Sequence, residues 1–313
     1  MKQKLLLVGD SGYLGSSLVD SLTHHFEVTG ISKSNSSSSE ICKIQLNLER
    51  DVEKMLGLVS QFDYIIWAAG LSPMESLKDK KKDHYLTVSL IKRVLAEVSN
   101  IDRKPKIIYL CSKYIYGNKN QVNVRESEIL NPDHDYGMNR ILVLKEFLNA
   151  RKEHAVNASI VVLPGVYGYK NSDRVHKGAI NSMVKSATRK KTIYLYQTAR
   201  YSRNVLHLED FVTAITELCL KKKPLKFPMY NLVSNESTTI EEISRIVCSI
   251  YPGIQVRETY DEKYGLFEKG NLVLSCKRFS SEFDWQPLHD LPTSIDLMIQ
   301  KLAKNDYEKQ SEQ

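Results

Sequence analysis

The stretch Lys4-Leu5-Leu6-Leu7-Val8-Gly9-Asp10-Ser11-Gly12-Tyr13-Leu14-Gly15-Ser16-Ser17-Leu18 decides the fold of this chain. Its apolar run Leu5–Val8 reads as a strand buried on both faces, as parallel strands are. Glycines follow at 9, 12 and 15, and then Leu14, Leu18, Val19 and Leu22 recur at helical spacing on one face. Strand, glycine turn and helix in that order are the context of a pyrophosphate cradle. Gly9 and Gly12 let the backbone turn sharply and approach the anion, and Gly15 lets the helix pack close to the strand. The helix N-terminus offers free N–H groups and a partial positive charge. Ser11, Tyr13 and Leu14 complete the loop as candidate dinucleotide contacts. The alternative is an ordinary βα turn that happens to be rich in glycine; the strand and helix on either side weigh against it.

Outward from this turn, strands and helices alternate. Phe26–Ile31, Ile41–Leu46, Tyr64–Gly70, Lys106–Leu110 and Asn157–Leu163 read as strands. Helices are predicted over Asp51–Val59, Tyr85–Val98 and Asp135–Ala150. The alternation implies an α/β fold with a doubly wound parallel sheet of the Rossmann type. After residue 165 it loosens. Helices are expected at Asp173–Lys185, Glu209–Leu220, Thr239–Ile250 and Thr293–Ala303, and short strands at Thr192–Tyr196, Asn204–His207 and Met229–Val233. The polar tail from Lys304 is expected to fray. Residues 1–165 are thus a dinucleotide-binding domain, to which 203–233 return, while 166–202 and 234–313 form a smaller, mixed substrate-binding part.

NAD-preferring sites usually carry an acidic residue at the end of the second strand, bonded to the ribose hydroxyls. Ser32-Lys33-Ser34 stands there instead. No carboxylate repels a 2′-phosphate, and a lysine with two hydroxyls suits one, so the segment points to NADP over NAD. The serine run Ser34–Ser39 reads as a flexible connector. Asn47 and Leu48 after the third strand, and Ala68-Ala69-Gly70 after the fourth, are further candidate cofactor contacts. Small residues at 68–70 would let the backbone pass against the cofactor.

Composition sets the wider limits. At 313 residues, 42% hydrophobic and 26% charged, the chain suits a globular protein of one large or two medium domains. No apolar run approaches the roughly 18 residues a membrane helix needs. The N-terminal run is too short for a signal peptide, and a cytoplasmic protein is expected. The five cysteines (42, 111, 219, 248 and 276) lack paired zinc spacing and read as reduced thiols, with no metal expected. The net charge of +7 comes from short basic clusters at 78–82, 103–106, 189–191 and 221–223. Each reads as solvated surface; their sum favours an anionic ligand, and no nucleic-acid motif accompanies them.

With these pieces in order, the chain resembles the extended short-chain dehydrogenase/reductase family, the NAD(P)-dependent sugar-nucleotide epimerases, dehydratases and reductases. Gly9/Gly12/Gly15 matches its GxxGxxG, and Cys111–Gly117 matches the strand end before its "VYG". Tyr136 and Arg140 fall on YxxxK, and Val166-Tyr167-Gly168 on a second "VYG". Arg203–Asp210 resembles "RDFxHVxD", and Met229-Tyr230-Asn231-Leu232 the later "YNL" strand. The resemblance implies Ser112, Tyr136 and Arg140 as catalytic residues, the last two also touching the cofactor. It implies Ser72, Ser112, Lys113, Tyr114 and Arg203 as substrate contacts, Arg203 meeting a diphosphate. The implied substrate is a nucleotide-diphosphate sugar, bound between the C-terminal strand ends and the residues after about 165, and a homodimer is an assembly it permits.

The departures narrow the chemistry. Arg140 stands at the lysine, Leu163 where an arginine often precedes the second "VYG", and Thr87 near a usual asparagine. Family 4,6-dehydratases carry Asp-Glu after the catalytic hydroxyl; Lys113 and Tyr114 stand there. The resemblance therefore implies 4-keto reduction or epimerisation, not dehydration, with a non-enzymatic NAD(P)-binding sensor or subunit as the alternative. A residue four along a helix returns to the same face, so Arg140 is expected to lower the Tyr136 pKa. Arg140→Met is expected to remove activity with the fold intact.

Overall fold

The computed structural model describes residues 2–33, 41–118, 120–169, 178–190 and 192–311. The chain divides into two compact units. The first comprises Met1–Gly117, Glu126–Leu163 and Val212–Asn231. Its centre is a parallel sheet of seven strands. These are β1 (Lys4–Val8), β2 (Glu27–Ser32), β3 (Cys42–Gln45), β4 (Tyr64–Trp67) and β5 (Lys106–Ser112), with Ala158–Leu163 and Met229–Asn231. From one edge the order is Met229–Asn231, Ala158–Leu163, β5, β4, β1, β2, β3. The chain winds one way from β1 to β3 and the other way from β4 onward, which puts the topological switch point between β1 and β4.

The apolar runs explain the middle of this sheet. Leu5–Val8, Ile65, Ile66, Ile107, Ile108 and Ile160–Val162 are all buried, so no face of these strands needs a polar side chain. Helix α1 (Tyr13–His25) covers the sheet with Leu18, Val19 and Leu22. Helix Leu90–Ser99 buries Leu90, Ile91, Val94, Leu95 and Val98, and helix Asp135–His154 buries Val143, Leu144 and Phe147. Two boundaries differ from the sequence expectation in ways that matter. β5 pairs through Cys111 and Ser112, opposite Val162 and Leu163, so Ser112 ends a strand, not a loop. The helix expected at Tyr85 starts at Lys80, capped by the Asp79 carboxylate on the Lys82 N–H (2.9 Å). A wider, π-type turn at Tyr85–Ser89 joins it to Leu90–Ser99.

The second unit comprises Asn118–Arg125, Pro164–Phe211 and Leu232–Gln313. Strand Arg203–His207 lies in its mixed sheet, parallel to Gly165–Tyr167 and to Leu272, antiparallel to Ser237–Thr238. The sequence grouped 203–211 with the dinucleotide part; these pairings put it in the second unit. Strand Gln121–Val124, from the first 165 residues, joins the same sheet through Leu272–Leu274. The apolar core gathers Ile180, Val184 and Ala187 with Ile243, Val247, Ile295 and Leu302. The last helix spans Leu291–Ser311, beyond the expected end, since no glycine or proline stops it. Of the helix expected at 173–185, residues 173–177 lie outside the described residues, as do Ser34 and the rest of its serine run. None of the five cysteines is paired, and burial pushes the Cys111 and Cys219 thiols up to about 12. Among the described residues no helix is long and apolar enough to cross a membrane.

Candidate active site

The glycine turn is packed to its limit at two points and open at the third. Gly9 sits at φ +95°, and a Cβ there would lie 2.7 Å from the Ala69 backbone nitrogen. A Cβ on Gly15 would lie 2.1 Å from the Gly9 carbonyl oxygen. Gly12 is the exposed N-cap of α1, donates to the Gly9 carbonyl (3.0 Å), and has no side chain over the first turn. The first turn of α1 itself carries no acidic residue, so its partial positive charge is not offset from within the helix. This is a cradle that an added side chain would fill, and it fits a dinucleotide pyrophosphate.

The strand order lines up expected cofactor residues and the expected catalytic Ser112 along one sheet edge. Ser112 and Ser32 are the last residues of β5 and β2, and Ala68–Gly70, Gly9–Gly15 and Asn47 come just after β4, β1 and β3. The backbone of Ala68 and Ala69 runs against Gly9, which leaves no room for a side chain at position 9. Lys33 is exposed, and its carbonyl accepts from Gln45 (3.1 Å). Asn47 is a turn residue: its Oδ1 accepts from the Glu49 N–H at 3.0 Å, and its own N–H donates to Asp51 at 2.9 Å. Leu48 lies within that turn.

Ser112, Tyr136 and Arg140 come together. The Ser112 hydroxyl is hydrogen-bonded with the Tyr136 phenol, and its Oγ also accepts from the Tyr114 N–H at 3.4 Å. Helix Asp135–His154 presents Tyr136 in its first turn, after a cap in which His134 Nδ1 accepts from the Gly137 N–H (3.0 Å). Arg140 follows one turn on, with its guanidinium carbon 3.4 Å from the Tyr136 ring centroid. It sits over the ring face. Its Nη1 donates to Asp83 Oδ2 (2.7 Å) and to the Tyr136 carbonyl (2.9 Å), and its Nη2 to the Leu71 carbonyl (3.4 Å). Arg140 is 3% exposed and Asp83 0%. Asn139 Nδ2 (2.8 Å) and Thr87 Oγ1 (3.3 Å) also donate to Asp83.

This arrangement corrects the expectation for Tyr136. Burial, the larger effect, raises its pKa above the ordinary phenol value; Arg140 and Ser112 pull the other way and lose. Burial also works against the Arg140 charge, yet Tyr136, Tyr109 and Asp83 outweigh it and hold the guanidinium protonated. The arginine thus keeps the family lysine's charge but spends its donors inside the fold.

The expected substrate contacts divide. Lys113 is buried with its Nζ 5.3 Å from the Tyr114 ring centroid, and the Tyr114 ring meets Tyr136 edge-on at 6.1 Å. Ser72 caps helix Pro73–Lys78 in a reciprocal box with Glu75, donating to its carboxylate at 2.7 Å. Arg203, in the second unit, is buried with all three nitrogens engaged: Nε on Tyr201 O (3.1 Å), Nη1 on Glu268 (2.5 Å) and Nη2 on Thr198 O (2.6 Å). It is not presented as an open diphosphate clamp, because Glu268 already neutralises it. The sequence missed Asp83 and Glu268, which only the folded chain brings to their arginines. It also missed Asp10, whose carboxylate lies against Gly30 of β2. Here a signal existed: a glycine inside an apolar strand marks a close approach.

The strand order, the switch point and the glycine turn define a Rossmann-type α/β protein. Residues 5–232 match the NAD dependent epimerase/dehydratase family, and the chain belongs to it. A Methanocaldococcus jannaschii protein, provisionally named a UDP-glucose 4-epimerase, is 19% identical over 96% of this chain and 99% of its own. The UDP-glucuronic acid 4-epimerase of Bacillus cereus, solved with UDP-glucuronic acid and NAD, superposes with a TM-score of 0.81 at 17% identity, covering 96% of this chain and 99% of that one. The dTDP-glucose 4,6-dehydratase of Streptomyces venezuelae, solved with NAD, gives 0.82 at 16% identity, covering 96% and 97%. These likenesses are likenesses of fold.

Proposed function

We propose that the protein is an NAD(P)-dependent enzyme that carries out redox chemistry at a hydroxyl-bearing carbon of a nucleotide-diphosphate sugar, with 4-epimerisation as the overall reaction. The observation that carries this is the Ser112–Tyr136–Arg140 group at the end of β5, on the same sheet edge as the glycine cradle. The 4-epimerases among the relatives support the choice of substrate class. A bound nicotinamide dinucleotide supplies hydride acceptance and return. Ser112 donates a hydrogen bond to the sugar oxygen at the reacting carbon. Tyr136 takes the hydroxyl proton and gives it back. Arg140 keeps a positive charge against the Tyr136 ring while Asp83 fixes its plane. Dehydration is not part of the proposal, because Lys113 and Tyr114 supply no carboxylate acid and base at the positions where that elimination needs them.

One observation favours a second reading. Epimerisation starts with a tyrosinate, whereas reduction of a keto sugar starts with a neutral phenol. The raised Tyr136 pKa favours the neutral form, hence ketoreduction. The experiment is a panel of UDP- and dTDP-sugars, with and without a 4-keto group, followed by NMR of the product and by NAD(P)H absorbance. A C4 epimer without net NAD(P)H change supports epimerisation. Stoichiometric NAD(P)H consumption on the keto sugars supports reduction. Tight dinucleotide binding with no turnover on any sugar overturns both, in favour of a non-enzymatic binding protein.

A further inference from the structure

We infer that Asp10, inside the glycine turn, is the residue that selects NAD(H) against NADP(H). The inference rests on the dinucleotide reading above and refines it. Asp10 directly follows Gly9, whose N–H donates to the Ile31 carbonyl of β2 at 2.7 Å. Its side chain is 1% exposed and lies over Gly30: a Cβ at Gly30 would stand 2.7 Å from Asp10 Oδ2 and 2.9 Å from its Cβ. The carboxylate therefore occupies the volume that any larger residue at position 30 would fill.

Alternate residues of a strand share a face, so Gly30 and Ser32 point the same way, about 7 Å apart along β2. Asp10 thus places a carboxylate on the face of β2 that carries Ser32, one side-chain position before the strand end. That end is where an adenosine ribose is read in this fold. The acid missing from position 32 is supplied from the neighbouring turn. Its burial leaves it poorly screened, so its field falls on a 2′-phosphate and is not dissipated in water. A neutral 2′-hydroxyl meets no such repulsion. Lys33 at the strand end is exposed, and its charge is correspondingly weakened by solvent. The balance reverses the NADP preference that Ser32-Lys33-Ser34 suggested.

The test is binding, independent of turnover. NADH and NADPH are titrated into the full-length protein at fixed ionic strength by fluorescence, and again into Asp10→Asn, which keeps the side chain's shape. Wild type should bind NADH at least about tenfold more tightly. Asp10→Asn should close most of that gap by gaining NADPH affinity with little change for NADH. Adenosine 2′,5′-bisphosphate against 5′-AMP on wild type, as competitors of NADH, reads the same discrimination without any substitution. Wild type binding NADPH or the bisphosphate as tightly as its partner overturns the inference and leaves the proposed function standing. An Asp10→Asn variant that folds and keeps the full discrimination also overturns it. Failure of both dinucleotides to bind overturns the inference together with the function it rests on.

Discussion

At the scale of single residues, Arg140 shows how a buried cation is held inside a fold. A lysine would reach a cofactor ribose as a point charge; the planar guanidinium instead stacks on Tyr136 and locks onto a fully buried Asp83. Removing one partner of such a pair leaves an uncompensated buried charge and costs about 3–5 kcal/mol, a large share of ordinary stability. Arg140→Met should therefore lower the urea midpoint sharply, contrary to the sequence expectation of an intact fold. Arg140→Met with Asp83→Leu should recover part of the loss, since both charges go while the buried Asn139 and Thr87 lose Asp83 as an acceptor. Arg140→Lys keeps the charge but loses the fork, and should cost about 1–2 kcal/mol. A Met variant as stable as wild type would remove the ion pair from this account. His207 offers a pH test of the second unit. Burial first, and then the stacked His289, push its pKa down to about 4. Between that value and the ordinary 6.5 the unfolded chain binds a proton that the folded chain refuses, so stability falls as pH drops through this window. His289, between Asp210 and Glu209, shifts upward and offsets part of it; its contribution is lost as pH rises. A net loss of about 1–3 kcal/mol between pH 7 and 4.5 is expected, and it should shrink in His207→Asn. Equal pH dependence in the two proteins would exclude His207 as its source.

At the scale of elements, the glycine turn separates folding from binding within one short segment. Gly15→Ala puts a methyl 2.1 Å from the Gly9 carbonyl, so α1 must leave the sheet and the protein should lose most of its stability. A Cβ on Gly12 meets nothing closer than that carbonyl at 3.3 Å. Gly12→Val should therefore leave thermal unfolding within a few degrees of wild type and abolish dinucleotide binding in a fluorescence titration. Retained binding in a folded Gly12→Val protein would move the cofactor elsewhere. This turn was fully legible in the sequence, because strand period, glycine spacing and helix period are local signals. So were Ser112 and Tyr136, which sit at element ends that the pattern marks. What the sequence did not reveal depends on long-range pairing. Asp83 comes from a lysine-rich run that reads as solvated surface, and it is buried only because helix Asp135–His154 packs over it. Glu268 reaches Arg203 from 65 residues away. Strand Gln121–Val124, exposed along most of its length, has no alternation strong enough to announce it.

At the scale of the whole molecule, the two units have separate sheets, and the sheet edge that carries the glycine turn and Ser112 belongs entirely to the first. That division makes ligand-linked stability a regional measurement. A ligand that binds only the folded state stabilises it by an amount set by its concentration over its dissociation constant, about 2.7 kcal/mol at a hundredfold excess. Local opening reports where that free energy is felt, because amide exchange from sub-global openings is slowed only when the opening disrupts the ligand site. Saturating NADH should therefore slow exchange most at Val8–Ser16, at Ala68–Leu71 and at the end of β2. Strand Arg203–His207 and helix Ile240–Ile250, built on the second unit's own contacts, should show little change. UDP alone should leave the glycine turn unprotected, since nothing in that turn is reserved for a uracil nucleotide. Hydrogen exchange read by mass spectrometry, at matched saturation of each ligand, decides this. Protection by NADH concentrated at 203–207 in place of the glycine turn would mean that the dinucleotide is held by the wrong unit for the site described above.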